Sequence, residues 1–219
     1  MGGTTAGTTR SATRTELADA RLRDEILSGR LLPGDRIPVE HLAETWGLSA
    51  TPVRESIRRL AGEGLVELAP QRGARVASVD HDLALEIYAI RLVLEPVALR
   101  QSLDAATSDP SFVDDVRSSF DALAGAVPGV DRLDRHRAFH LVLMSRCPNR
   151  TLLGEIASLM DRSRLFQFVA TPSDPRQGHA RDHRRLRDAA IAGDIDTTIS
   201  VHTQHLASTL DALARARRD

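Results

Sequence analysis

The stretch Gly47-Leu-Ser-Ala-Thr-Pro-Val-Arg-Glu-Ser-Ile-Arg-Arg-Leu-Ala-Gly-Glu-Gly64 decides how the N-terminal part of this chain folds. Gly47 allows a tight turn, because a residue without Cβ takes positive φ at little cost. Ser49 is expected to cap the following helix with its hydroxyl. Pro52 falls in the first helical turn, where a missing N–H costs nothing. Val53, Ile57 and Leu60 recur at helical spacing and turn one face inward. Thr51, Arg54, Arg58 and Arg59 are left on the other side. This pattern reads as the turn and second helix of a helix-turn-helix. A short capped helix with outward arginines and hydroxyls suits the major groove of DNA.

The flanking sequence completes a winged domain. Residues 15–28 carry Leu17, Leu22, Ile26 and Leu27 at roughly helical spacing, and Gly29 is a helix stop. Leu32-Pro-Gly-Asp35 reads as a turn. His41 to Trp46 forms the first helix of the motif, with Leu42, Ala43 and Trp46 on its buried face. Two short β-prone runs, 64–69 and 74–79, surround Pro70-Gln-Arg-Gly73 and predict a hairpin. A hairpin directly after such a helix is a wing, with Arg72, Gly73 and Arg75 at its tip. Outward arginines on one helix are usually only a solvated face. Here the turn, cap, helix and wing stand in order, and the order is what favours DNA.

Composition sets the outer limits. The 219 residues can hold two modest domains, and a formal net charge of −1 gives no global nucleic-acid signature. Residues 50–77 hold five Arg against three Glu, a local balance of +2. The positive field is therefore small, and dimerisation would double it. All 29 basic residues are Arg, which is read as GC-rich coding. The single Cys147 excludes an internal disulfide and fits a reducing cytosol. No apolar run approaches the roughly 18–20 residues that span a membrane. The small polar N-terminus lacks the apolar centre of a signal peptide, so residues 1–12 are expected to be a disordered tail and the location cytoplasmic.

Past residue 80 the strand signals stop and amphipathic helical periods take over. Helices are expected over about 82–100, with a kink near Pro96, and over about 110–125, 131–146, 150–169, 176–192 and 194–215. Asp194 is a natural cap for the last. The fold class is therefore mainly α: a winged helix-turn-helix over 13–78 followed by an all-helical bundle over 79–219. His136 and His140 are four residues apart and share a helix face. With His183 and His205 from two further helices they could converge on a divalent metal. The alternative is ordinary core or surface histidines, of which His81, His179 and His202 supply others.

Residues 14–77 resemble the GntR family of bacterial transcription regulators. The matching residues are Gly29 to Pro38, Leu42-Ala-Glu44, Gly47-Leu-Ser49, Thr51 to Leu60, Glu63-Gly-Leu-Val66 and Arg72-Gly73. The resemblance implies that Ser49, Thr51, Arg54, Arg72 and Gly73 touch DNA, with Arg58 beside them on the same outer face. The family usually has an arginine where this chain has Ala50, so one base contact is not expected here.

Residues 81–212 are similar to the FCD domain, the helical effector domain of the FadR-like branch. Its motifs stand at Arg91-Leu-Val-Leu-Glu95, Phe139-His140-Leu-Val-Leu143, Asn149 to Leu153, His183-Arg-Arg-Leu186, Gly193-Asp194 and His205-Leu206. Many members bind a metal through an acid or Asn four residues before the Phe-His histidine, plus two later histidines. His140, His183 and His205 match, and His136 replaces the acid. Zinc or nickel is the expected ion. Asp134 is two residues from His136 and points elsewhere. The resemblance further implies a small carboxylate effector. Arg91 is the first candidate to hold it, and equally placed to pair with Glu95 four residues on. Arg137, Arg162 and Arg164 are further candidates, each expected at the surface. The expected function is a ligand-responsive regulator, a repressor, binding a near-palindromic double-stranded DNA operator as a homodimer, with residues 79–219 as its effector-binding and dimerisation domain. The alternative is a metal-dependent enzyme with an accessory winged module, although no general base stands beside the histidines.

Overall fold

The computed structural model describes residues 13–69, 73–106, 109–169 and 176–216. The expected tail over 1–12 and the wing residue Arg72 lie outside the described residues. The chain divides into two compact units, Met1–Ala77 and Ser78–Asp219.

The first unit contains α1 (Arg14–Leu27), α2 (Val39–Trp46), α3 (Ala50–Gly62), β1 (Val66–Ala69) and β2 (Gly73–Val76). Helix α1 opens with a reciprocal cap that the sequence reading did not anticipate. The Thr13 hydroxyl accepts from the Glu16 amide at 3.1 Å, and Glu16 Oε2 accepts from the Thr13 amide at 2.7 Å. Its buried face is Ala18, Leu22 and Ile26 rather than one including Leu17, which is exposed. This face packs on α3, whose Val53, Ile57 and Leu60 are buried. Helix α2 ends at Gly47 in the left-handed region, φ 65°.

Ser49 occupies the N-cap position of α3, but its side chain makes no capping hydrogen bond. A cap oxygen accepts from the amide of the second or third helical residue, and the third here is Pro52, which has none. The expected hydroxyl cap is thus replaced by an exposed Ser49 side chain.

The wing is antiparallel, in register from Val66↔Val76 to Ala69↔Gly73. Residues 34–37, which overlap the turn expected at Leu32 to Asp35, continue along the other edge of β2. Ile37 donates its amide to the Ala74 carbonyl at 2.9 Å, Val76 to Asp35 at 2.9 Å, and Gly34 to Val76 at 3.0 Å. Hydrogen bonds to both sides fix β2 in place.

The second unit is helical among the described residues: α4 (His81–Ala106), α5 (Pro110–Ala124), α6 (Val130–Leu143), α7 (Arg150–Val169), α8 (Arg176–Ile191) and α9 (Ile195–Ala216). Helix α4 continues past Arg100 and carries Pro96 inside it. Pro96 leaves one carbonyl of the preceding turn without its amide partner. Three side-chain caps start helices. Asp109 accepts from Ser111, Asn149 from Leu152 and Asp194 from Thr197, each at 3.0 Å. Leu99, Val116, Phe139, Leu143, Ile156, Leu186 and Val201 form one buried cluster. α9 packs on α4 and α8, while α5 joins α6 to α8. That packing turns the inner faces of α6, α8 and α9 toward one another. No helix of the described residues is long and apolar enough to cross a membrane.

Candidate functional site

Each of the four histidines singled out in the sequence falls at this meeting of α6, α8 and α9. His140 Nε2 lies 3.1 Å from His136 Nε2 and 3.3 Å from His183 Nε2. The ring of His205 stacks on that of His140, with centroids 5.4 Å apart and planes inclined by 22°. One nitrogen from each of the four residues lies within 4.8 Å of all the others. His140, His183 and His205 are buried and His136 is half-buried. Nitrogens bound about 2.1 Å from a tetrahedral ion sit about 3.4 Å apart. The three Nε2 atoms already approach that spacing, and small side-chain movements would bring the widest pair to it.

The electrostatics keep His140 in its ligating form. Burial, followed by the nearby imidazoles of His136, His202, His183 and His205, pushes His140 well below the usual histidine range. A neutral imidazole offers a lone pair, whereas an imidazolium cannot ligate. Asp182 Oδ2 stands 3.6 Å from His205 Nδ1, near enough to orient that ring by charge. The residues therefore fit a first-row divalent ion through nitrogen ligands, with no carboxylate among the four.

Behind the cluster lies a polar network that the sequence reading passed over. His202, three residues before His205 and treated as spare, is fully buried with its ring 5.2 Å from that of His140. Its Nε2 meets Glu95 Oε2 at 2.7 Å. Glu95 Oε1 in turn accepts from Arg91 Nε at 2.5 Å, and Arg91 Nη1 donates to Ser163 Oγ at 3.1 Å. Burial works to raise the Glu95 carboxyl, but Arg91 and then His202 outweigh it and hold it down to about 2. Of the two roles open to Arg91, the ion pair with Glu95 is present.

Two other arginines differ from expectation. Arg164, expected at the surface, is 4% exposed. Its Nη1 donates to Asp134 Oδ1 at 2.5 Å, while Nε and Nη2 are buried without a hydrogen-bond partner. Arg162 is half-buried, and its Nε likewise has no partner. Arg137 is partly exposed and pairs with the buried Asp161 at 2.5 Å. Asp134 is turned to Arg164, which explains why it cannot join the histidines.

In the first unit Ser49, Thr51, Arg54 and Arg58 are all exposed along the outer side of α3 and its approach. Arg54 is held by Glu40 of α2 at 2.6 Å in a pair 58% and 71% exposed. Gly73 opens β2 at φ 84° and is exposed. Arg75 is exposed and donates to the Gly34 carbonyl at 2.9 Å.

A winged helix-turn-helix with outward arginines, joined to an all-helical unit with a buried polar centre, defines a DNA-binding regulator. Residues 14–76 match the gntR family of bacterial regulatory proteins, and residues 86–208 match the FCD domain. The chain belongs to the GntR family of transcription regulators and carries an FCD domain. It is similar to a probable D-xylose utilization operon transcriptional repressor of Paenarthrobacter nicotinovorans, with 32% identity over 95% of this chain and 94% of that one. It is 26% identical to the HTH-type transcriptional repressor GlaR of Escherichia coli K12, over 89% and 93% of the two chains. The solved structure of E. coli McbR/YncC shares the fold with a TM-score of 0.80 at 23% identity, covering 94% of this chain and 100% of that one. Its family and relatives make the protein a transcription regulator and not an enzyme, which settles the alternative raised by the histidines.

Proposed function

We propose that this regulator is a ligand-responsive repressor in the cytoplasm that binds a near-palindromic operator as a homodimer. A divalent ion, zinc or nickel, sits on His136, His140, His183 and His205, and a small organic acid binds beside it. The approach of His136 Nε2 and His183 Nε2 to within 3.3 Å of His140 Nε2 carries the metal part of this reading. Repressor-named relatives support the sign of regulation.

Two buried arginines support the acid. Arg91 reaches the site through Glu95 and His202 but has already committed Nε and Nη1. Arg164 has the open fork of Nε and Nη2, the edge that matches both oxygens of a carboxylate. A buried guanidinium edge without an acceptor is costly, and an anion relieves that cost. The segment 77–82 between the units is short, so helix movement on acid binding can change the arrangement of the two DNA-reading units. Coupling of about 1–3 kcal/mol would alter operator affinity roughly 5- to 150-fold.

The test is a thermal-shift screen of organic acids on metal-loaded, tag-free protein, followed by operator binding with each stabilising acid. The reading predicts a change in operator affinity with at least one such acid. Absence of metal uptake on titration defeats the metal. Stabilising acids that leave operator affinity untouched defeat the coupling.

A further inference from the structure

We propose that Arg36 and Arg75 together hold one phosphate of the DNA backbone, at a site outside α3 and beside the start of β2. This rests on the DNA-binding reading of the first unit. It gives a role to Arg36, to which neither the sequence pattern nor the resemblance assigned one.

Segment 34–37 and β2 run antiparallel with Arg36 directly opposite Arg75. Ile37 donates its amide to Ala74 and Val76 to Asp35, one residue to either side of that pair. Arg36 and Arg75 therefore form the closer kind of antiparallel pair, with Cα atoms about 4.5 Å apart and both side chains on one face. That face is the outer one. Arg36, Gly73 and Arg75 are exposed along it, whereas Ile37, Ala74 and Val76 are buried on the other. The third residue of the row is the exposed Glu67 of β1, paired with Arg75 on the side away from Arg36.

Like charges directly opposite one another destabilise a sheet. The free protein bears that repulsion, and an anion between the two guanidinium groups turns it into attraction. Arg75 Nη1 donates to the Gly34 carbonyl at 2.9 Å, which draws its side chain across the strand toward segment 34–37. A guanidinium has five donors, so the others stay open to a ligand. Among the described residues Arg36 makes no side-chain hydrogen bond or ion pair. Its Nε lies beside Gly73, where an added Cβ would stand 3.8 Å away. The guanidinium from segment 34–37 thus reaches the residue of β2 at which the resemblance implies a DNA contact. Guanidinium forks match phosphate oxygens with two parallel N–H groups. The family reads DNA, so the anion is a backbone phosphate on the flank of the wing. Such a contact fixes the register of the protein on the duplex and carries no base preference.

The experiment reads salt dependence in the full chain. The parent selects duplexes from a random library, and affinity for the best duplex and for a scrambled one is measured over a series of chloride concentrations. Arg36→Gln should weaken both by a similar factor, about tenfold, the worth of one hydrogen bond to a charged group. It should also lower the slope of log affinity against log salt by about 0.9 per subunit. Arg36→Lys keeps the charge and should keep the slope. Arg117→Gln removes an exposed arginine of α5 in the second unit and should leave affinity and slope alone. Thermal unfolding of free Arg36→Gln should be unchanged or slightly raised, because a like-charge pair is relieved. A slope equal to the parent's, or a loss confined to the selected duplex, overturns the phosphate site while DNA binding stands. Inorganic phosphate at matched ionic strength that displaces the duplex from the parent, but not from Arg36→Gln, makes this a free-anion site and overturns it as well. A parent that enriches no duplex overturns both.

Discussion

Glu95 of α4 and His202 of α9 meet at 2.7 Å, and neither side chain exposes any surface. Their hydrogen bond ties two packed helices together and separates the guanidinium of Arg91 from the histidine cluster. A buried carboxylate between a guanidinium and an imidazole is stable only as a set, because removing one member strands the charge of another.

Glu95→Ala should therefore destabilise the second unit by about 3–5 kcal/mol, the usual consequence of breaking a buried pair. Chemical denaturation against the parent measures it. A loss within the range of an exposed substitution, about 0.5 kcal/mol, would show that the network adds little.

The pH dependence follows from the directions of two groups. His140 stays neutral in the folded protein well below the usual histidine range. In the unfolded chain it titrates near 6.5. As pH falls below about 6.5 the unfolded state takes up a proton that the native state excludes, so stability drops. Glu95 acts in a separate window. Its carboxyl lies at about 2 in the fold and 4.5 in the reference state, so its contribution is complete above 4.5 and disappears as pH falls through that interval. His140→Gln should flatten the slope between pH 6.5 and 5 and leave the lower one.

Metal uptake should respond to charge at position 136. His136→Asp exchanges a neutral ligand for a carboxylate and should tighten binding of zinc or nickel, whereas His183→Ala should weaken it at least tenfold. Calorimetric titration of tag-free protein reads both. Equal affinity in parent and His183→Ala would remove the cluster from any role with metal.

Arg54→Ala should lower operator affinity by about 1–3 kcal/mol, the worth of one bidentate base contact. Its stability should be nearly unchanged, because the Arg54–Glu40 pair is exposed and such pairs contribute little. Glu40→Gln should do the reverse, releasing the guanidinium and removing a negative charge that faces the phosphates. Mobility shift with specific and scrambled duplexes separates the two effects.

The helices were legible where punctuation was strong. Gly47, Pro52, Asn149 and Asp194 mark ends by chemistry that acts within one turn. The strand-like course of 34–37 was not legible, because its partner β2 lies almost forty residues on and the segment reads locally as Leu-Pro-Gly-Asp. Ser49 shows the opposite error: its capping residue type was right, but Pro52 removed one of the amides it would cap. Four histidines could be singled out by spacing and resemblance. His202 carried a signal too, since three residues place it near the face of His205. The burial of Arg164 had no such signal, because a long polar side chain on α7 looks solvated until the packing of α6 is known.

The placement of β2 between β1 and the 34–37 segment has a consequence for recognition. A hairpin held only by its own turn can swing like a flap, but one whose second strand is also bonded to 34–37 behaves as part of the scaffold. The distance from the outer side of α3 to the start of β2 at Gly73 is then a fixed calliper. A duplex read by this unit would be selected by the width of its grooves as well as by its bases.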